Sequence, residues 1–246
     1  MNIKKLSAVL FMSALFAIPA KAALISPDII FGSGNTNGGF TVITNGDLEL
    51  GIRAKRRYSP NDQIGVGIVQ DAAGNYLFDS STATAVIPSN MSFWSFDWSI
   101  NSDVADGSDA LNTYSYLISY DTDPSAAVSL QTYDPLSALS TGYYLGNNAS
   151  GNGGATFETG GDEDFSTVNV AQNSVNMGFL MGGPLGSGQF QVSLSAFQNG
   201  LEVASTSINV FVDTTPTAAS APATALLFSV ALGGIVLYRR KKHVQV

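Results

Sequence analysis

The chain of 246 residues carries 19 acidic and 11 basic side chains, no cysteine, and one histidine, His243, close to its end. With neither thiol nor imidazole in the body, Cys–His and Ser–His–Asp nucleophilic machinery and Cys/His zinc sites are excluded, and no disulfide framework is available. Lys4, Lys5 and Lys21 lie at the start and Arg239 to Lys242 at the end, so residues 23–213 hold four basic residues against all 19 acidic ones, a net charge of −15. That balance disfavours nucleic acid or anionic lipid as a partner of the body; it suits solubility, divalent cations or a cationic surface.

Residues 1–22 carry Lys4 and Lys5, a short apolar run from Leu6 to Ile18, and Ala20-Lys21-Ala22. A charged start, a short apolar stretch and an A-x-A site predict a secretory signal peptide, cut by signal peptidase after Ala22. Residues 23–213 form the body, long enough for one domain with a substantial core. Short runs rich in Val, Ile, Thr, Tyr and Phe recur there between Gly, Asn, Asp and Ser clusters, which predicts an all-β, jelly-roll-like β-sandwich.

DLELGIRAKRRY, QIGVGIVQ, NYLFD, MSFWSFDWSI, LNTYSYLISYD and AAVSLQTYD are strand candidates in chain order. In the fourth, Trp94, Phe96, Trp98 and Ile100 share one face as a candidate core, and Phe93, Ser95, Asp97 and Ser99 share the other. The Gly- and Asn-rich segment 146–167 reads as a long loop. Phe190, Val192, Leu194 and Ala196 alternate with polar residues before Asn199-Gly200, whose positive-φ preference predicts a type I′ hairpin turn. Leu201, Val203, Ile208, Val210 and Val212 resume the apolar pattern. Residues 214–218 are a small-residue linker, and residues 219–246 are a separate unit.

Two groups of charged residues are candidate sites. Asp103, Asp106 and Asp109 sit in one turn, with Asp121 and Asp123 close behind across an expected hairpin. Clustered carboxylates and carbonyls can supply the six to eight oxygens that calcium takes, although no EF-hand pattern is present. Asx residues in turns are also favoured for local hydrogen bonding alone. Arg53, Lys55 and Arg57 fall on one face of a strand, as edge protection, as partners for acids, or as a docking patch for an acidic polysaccharide or protein. No carboxylate pair suited to glycoside hydrolysis is identifiable from spacing.

The last segment places Ala219, Ser220, Ala221 and Pro222 before an apolar run to Tyr238, followed by Arg239, Arg240, Lys241 and Lys242. Residues 221–238 are long enough for a short membrane span, and the terminal cations would stay cytoplasmic with the body outside. This combination resembles the PEP-CTERM sorting signal of exopolysaccharide-producing Gram-negative bacteria, with S-A-P-A-T at the motif position. The resemblance implies an exosortase-like transpeptidase acting near Ala219 to Pro222, removal of the helix and basic tail 239–246, and delivery to the cell surface or exterior. The expectation is an exported, non-enzymatic surface or matrix protein associated with extracellular polysaccharide. The alternative is a carbohydrate-binding module, with Trp94 or Trp98 lining a groove, or a carboxylate-dependent hydrolase.

Overall fold

The computed structural model describes residues 24–26, 39–58, 68–83, 86–137, 142–148, 156–158 and 164–216, with backbone alone at 24–26 and 156–158. The signal peptide 1–22 and the sorting segment 219–246 lie outside the described residues. Among the described residues no helix is long and apolar enough to cross a membrane.

Two sheets contain nearly all the regular structure. One holds β1 (Leu24–Ser26), β2 (Phe40–Asn45), β3 (Leu48–Arg56), β5 (Trp94–Asn101), β10 (Val170–Asn176), β8 (Tyr143–Gly146) and β9 (Thr156–Glu158), in that spatial order. The second holds β4 (Tyr76–Phe78), β12 (Leu201–Val212), β11 (Gly188–Gln198), β6 (Ser115–Asp121) and β7 (Leu130–Tyr133). Neighbours are antiparallel throughout, except that β4 runs parallel to β12. The body is an all-β, sandwich-like domain; its one described α-helix is the single turn α1 (Met177–Met181).

The core lies where period-2 alternation turns apolar faces together. Leu48, Leu50, Ile52 and Ala54 of β3 and Trp94, Phe96, Trp98 and Ile100 of β5 are buried in one cluster with Phe190, Val192, Leu194 and Ala196 of β11. The β11–β12 hairpin turns at Asn199 (φ 53°) and Gly200 (φ 79°), the two positive-φ positions expected of a type I′ turn. Between the pairs Phe197↔Glu202 and Ala196↔Ala204 the register slips, leaving Val203 as the extra residue of a bulge. Leu201, immediately after the turn, is 72% exposed and lies outside the core formed by Ile208 and Val210.

Two sequence expectations differ from the structure in detail. Within QIGVGIVQ, the described residues 68–70 contribute only an isolated bridge, Gln70 to Tyr76. The segment 146–167 is not all loop, because its residues 156–158 form β9 and pair with β8.

The sandwich has two distinguishable ends. At the hairpin end, Asn45 Nδ2 donates to Val203 O at 2.7 Å and joins the two sheets. At the opposite end, where the chain leaves toward its C-terminus, Arg56 Nη1 meets Thr82 Oγ1 at 3.3 Å. There Leu185 N donates to Ser92 Oγ at 3.1 Å. Asp213, in the left-handed region (φ 53°), closes β12 at this tail end: its carboxylate accepts from Ser80 N (2.7 Å), Ser80 Oγ (2.6 Å) and Ser187 Oγ (2.8 Å). Its own N–H donates to Phe78 O at 2.8 Å.

Candidate functional site

On β3 and β5 the residues that do not face the inter-sheet core make a second, polar layer. Register pairs Arg53 with Asp97 and Lys55 with Ser95. Arg53 Nε donates to Asp97 Oδ2 at 2.7 Å, and Lys55 Nζ lies 2.9 Å from Oδ1. Side-chain exposure is 1% for Arg53, 13% for Lys55 and 0% for Asp97. The guanidinium also sits 4.3 Å above the Phe40 ring of β2, a cation–π contact. Around the triad, Gln172 Nε2 donates to Ser99 Oγ (2.9 Å), and Asn176 Nδ2 donates to Ser92 O (2.9 Å) and Ser95 Oγ (3.3 Å).

Burial pushes the Asp97 carboxyl up, but the adjacent Lys55 and Arg53 charges and a hydrogen bond from Lys55 outweigh it and hold the group below the usual range. Burial likewise pushes the Lys55 ammonium down against the pull of Asp97. Both Asp97 oxygens face cations, so the group is neither an open metal ligand nor a base, and the triad is a cross-strand lock. The basic stripe expected at Arg53, Lys55 and Arg57 is thereby divided. Its first two members turn onto a buried acid, and Arg57, beyond the end of β3, is exposed.

The five aspartates of the candidate calcium cluster fall at opposite ends of the sandwich. Asp103, at the hairpin end, accepts four backbone N–H groups: Ala105 (2.9 Å) and Asp106 (3.1 Å) on Oδ1, and Ser108 (2.9 Å) and Asp109 (3.1 Å) on Oδ2. Asp121 and Asp123 lie at the tail end. Asp121 Oδ1 accepts from Asp123 N (3.0 Å) and Ser129 N (2.8 Å), and Asp123 Oδ1 accepts from Ser125 N (2.9 Å). The extended strand β6, seven residues long, separates the two sets by about 20 Å. Among the described residues no group of three or more His, Cys, Asp or Glu side chains could hold a metal ion.

The hydrogen bonds from Asp106 and Asp109 hold the Asp103 carboxyl far below its ordinary value. As pH falls, the unfolded chain takes up that proton first, so the contribution is whole above about pH 4 and is lost as acidity approaches the lower folded value. Thermal melts from pH 7 down to pH 2 are expected to show a falling midpoint below about pH 4, with a shallower fall in Asp103→Asn. Equal slopes for the two proteins would remove Asp103 from the acid response.

Beside this loop, Asn169 Nδ2 reaches Asn101 Oδ1 (2.8 Å), Asp103 O (2.9 Å) and Asn148 Oδ1 (2.9 Å). Asn169 is 1% exposed and ties the ends of β5, β8 and β10 together. Neither Asp97, Asn169 nor Asp213 stood out in the sequence as a site. The available signal for Asp97 was an acid in the middle of an aromatic strand, in a chain whose only body cations sit within Arg53 to Arg57.

Trp94 and Trp98 are 0% and 1% exposed, and Trp94 packs on Phe190 at a ring distance of 5.7 Å. They are core residues and offer no face to a sugar ring. Neither indole N–H has a hydrogen-bond partner. The sorting residues Ala219, Ser220, Ala221 and Pro222 and the stop residues Arg239, Arg240, Lys241 and Lys242 lie outside the described residues.

No family model and no curated protein matches the chain. Among solved structures, the copper-reconstituted P19 protein from Campylobacter jejuni is similar over 77% of this chain and 98% of that one, at 8% identity and a TM-score of 0.30. A likeness at that score carries no statement about the chemistry of this chain.

Proposed function

We propose that the chain is an exported, non-enzymatic surface or extracellular-matrix protein, held by its C-terminal segment and sorted by an exosortase-like transpeptidase, with extracellular polysaccharide as its surroundings. The observation that carries this reading is the succession at the C-terminus. Asp213 closes the last strand, residues 214–238 contain no Asp, Glu, Lys, Arg or His, and four consecutive cations follow. An apolar run ending in cations is a stop for translocation with the body outside the inner membrane. A strand closed by its own carboxylate clamp lets everything after Thr214 be removed without opening the sandwich.

The finer fold reading is jelly-roll-like. It is supported by a chain that crosses between the sheets at β3–β4, β4–β5, β5–β6, β7–β8 and β10–β11. Mass spectrometry of the mature protein from its native host tests the sorting step. The expected product begins near Ala23 and ends near Ala219 to Pro222; recovery of an intact C-terminus through Val246 would sink the processing step.

A further inference from the structure

The end of the sandwich that releases the tail is also where exposed apolar side chains gather. Among the described residues, four of the seven exposed large hydrophobic side chains, Val86, Val128, Leu130 and Phe179, lie at this end. Their segments are tied to it by contacts: a Cβ at Gly178 would meet the Met91 backbone at 2.6 Å, and Gln189 N donates to Pro124 O at 3.0 Å.

Phe179 is held out by construction. Its helix α1 is capped by Asn176, whose side chain accepts from Gly178 N at 2.9 Å, and stopped by Gly182 at φ 70°. Asn176 Oδ1 also accepts from Ser92 N at 2.6 Å, so the turn is fixed to the strand entering β5. A phenylalanine 53% exposed on a turn this well fixed forgoes burial that would otherwise be favourable. Val86, at 92%, is more exposed still.

The carboxylates at this end, Asp79, Asp121, Asp123 and Asp213, outnumber its exposed cation and disfavour an anionic lipid surface, which leaves a neutral one. Asp213 is occupied by Ser80 and Ser187, and Asp79 accepts from Ser81 N at 2.9 Å and Ser81 Oγ at 2.6 Å. Arg57 is the exposed cation beside Phe93, to whose carbonyl its N–H donates at 2.7 Å. Thr214 to Ser220 can extend at most about 25 Å, so a membrane-held tail keeps this end next to the bilayer. Such tethering raises the effective concentration enough for a weak apolar contact to be populated.

We propose that the tail end of the sandwich, with Phe179 and Val86 at its rim, docks on the lipid bilayer that residues 221–238 enter. This rests on the anchoring reading given above. The absence of cysteine allows single labels: Phe179→Cys, Leu201→Cys at the opposite end, and Val230→Cys in the tail, each carrying an environment-sensitive fluorophore. The full chain is reconstituted in vesicles of phosphatidylethanolamine and phosphatidylcholine, with or without nitroxide lipid. Loss of emission at positions 179 and 230, with none at 201, is the expected result. Quenching at 230 alone overturns the docking while leaving the anchor intact; no quenching at 230 overturns the anchor, and the docking falls with it.

Discussion

Asp97→Asn is expected to destabilise the sandwich by about 3–5 kcal/mol, because it leaves two cations, one of them fully buried, facing a neutral amide. Arg53 and Asp97 are 1% and 0% exposed, so screening that makes surface pairs nearly neutral does not apply to them. The amide keeps the shape of the carboxylate, which isolates the loss of charge from any cavity. Urea unfolding should show a lower midpoint with an unchanged slope, and the thermal midpoint should drop by roughly 10 °C. Replacing all three members by apolar residues, Arg53→Met, Lys55→Met and Asp97→Leu, is expected to recover most of the loss, since the desolvation cost disappears with the charges. A loss below about 1 kcal/mol in Asp97→Asn would mean that the triad adds little to the backbone ladder between β3 and β5.

Trp98→Ala is expected to cost a comparable 3–5 kcal/mol through the cavity it leaves between the sheets. The more discriminating variant is Trp98→Phe. The indole N–H has no hydrogen-bond partner, so phenylalanine loses part of the ring volume but no hydrogen bond. It should cost less than about 2 kcal/mol by the same denaturation measurement. If phenylalanine proves as damaging as alanine, the indole nitrogen is engaged and the core is wetter than its residues suggest.

Alternation placed Trp94, Phe96, Trp98 and Ile100 on the core face, and the Asn199-Gly200 pair located the turn, because both signals are local. The burial of Asp97 was not legible in the same way. Period-2 patterning says which residues share a face, but whether that face is covered depends on other strands. The five aspartates read as one cluster because Asp109 and Asp121 are near in sequence; an extended strand between them converts that nearness into distance. The closure of the chain by Asp213 against Ser80, and the parallel pairing of β4 with β12, join residues more than a hundred positions apart and leave no local trace. The bulge at Val203 likewise depends on pairing with the partner strand.

The position of β12 has a mechanical consequence. It is the last strand before the tail, yet it lies inside its sheet, hydrogen-bonded to β11 on one side and to β4 on the other. A pull applied through residues 214–218 therefore loads β12 along its own axis, in shear, and its bonds to both neighbours must rupture together rather than unzip one at a time. A body tethered by its C-terminus and dragged by a surrounding polymer would carry that force through a twelve-residue strand paired on both sides.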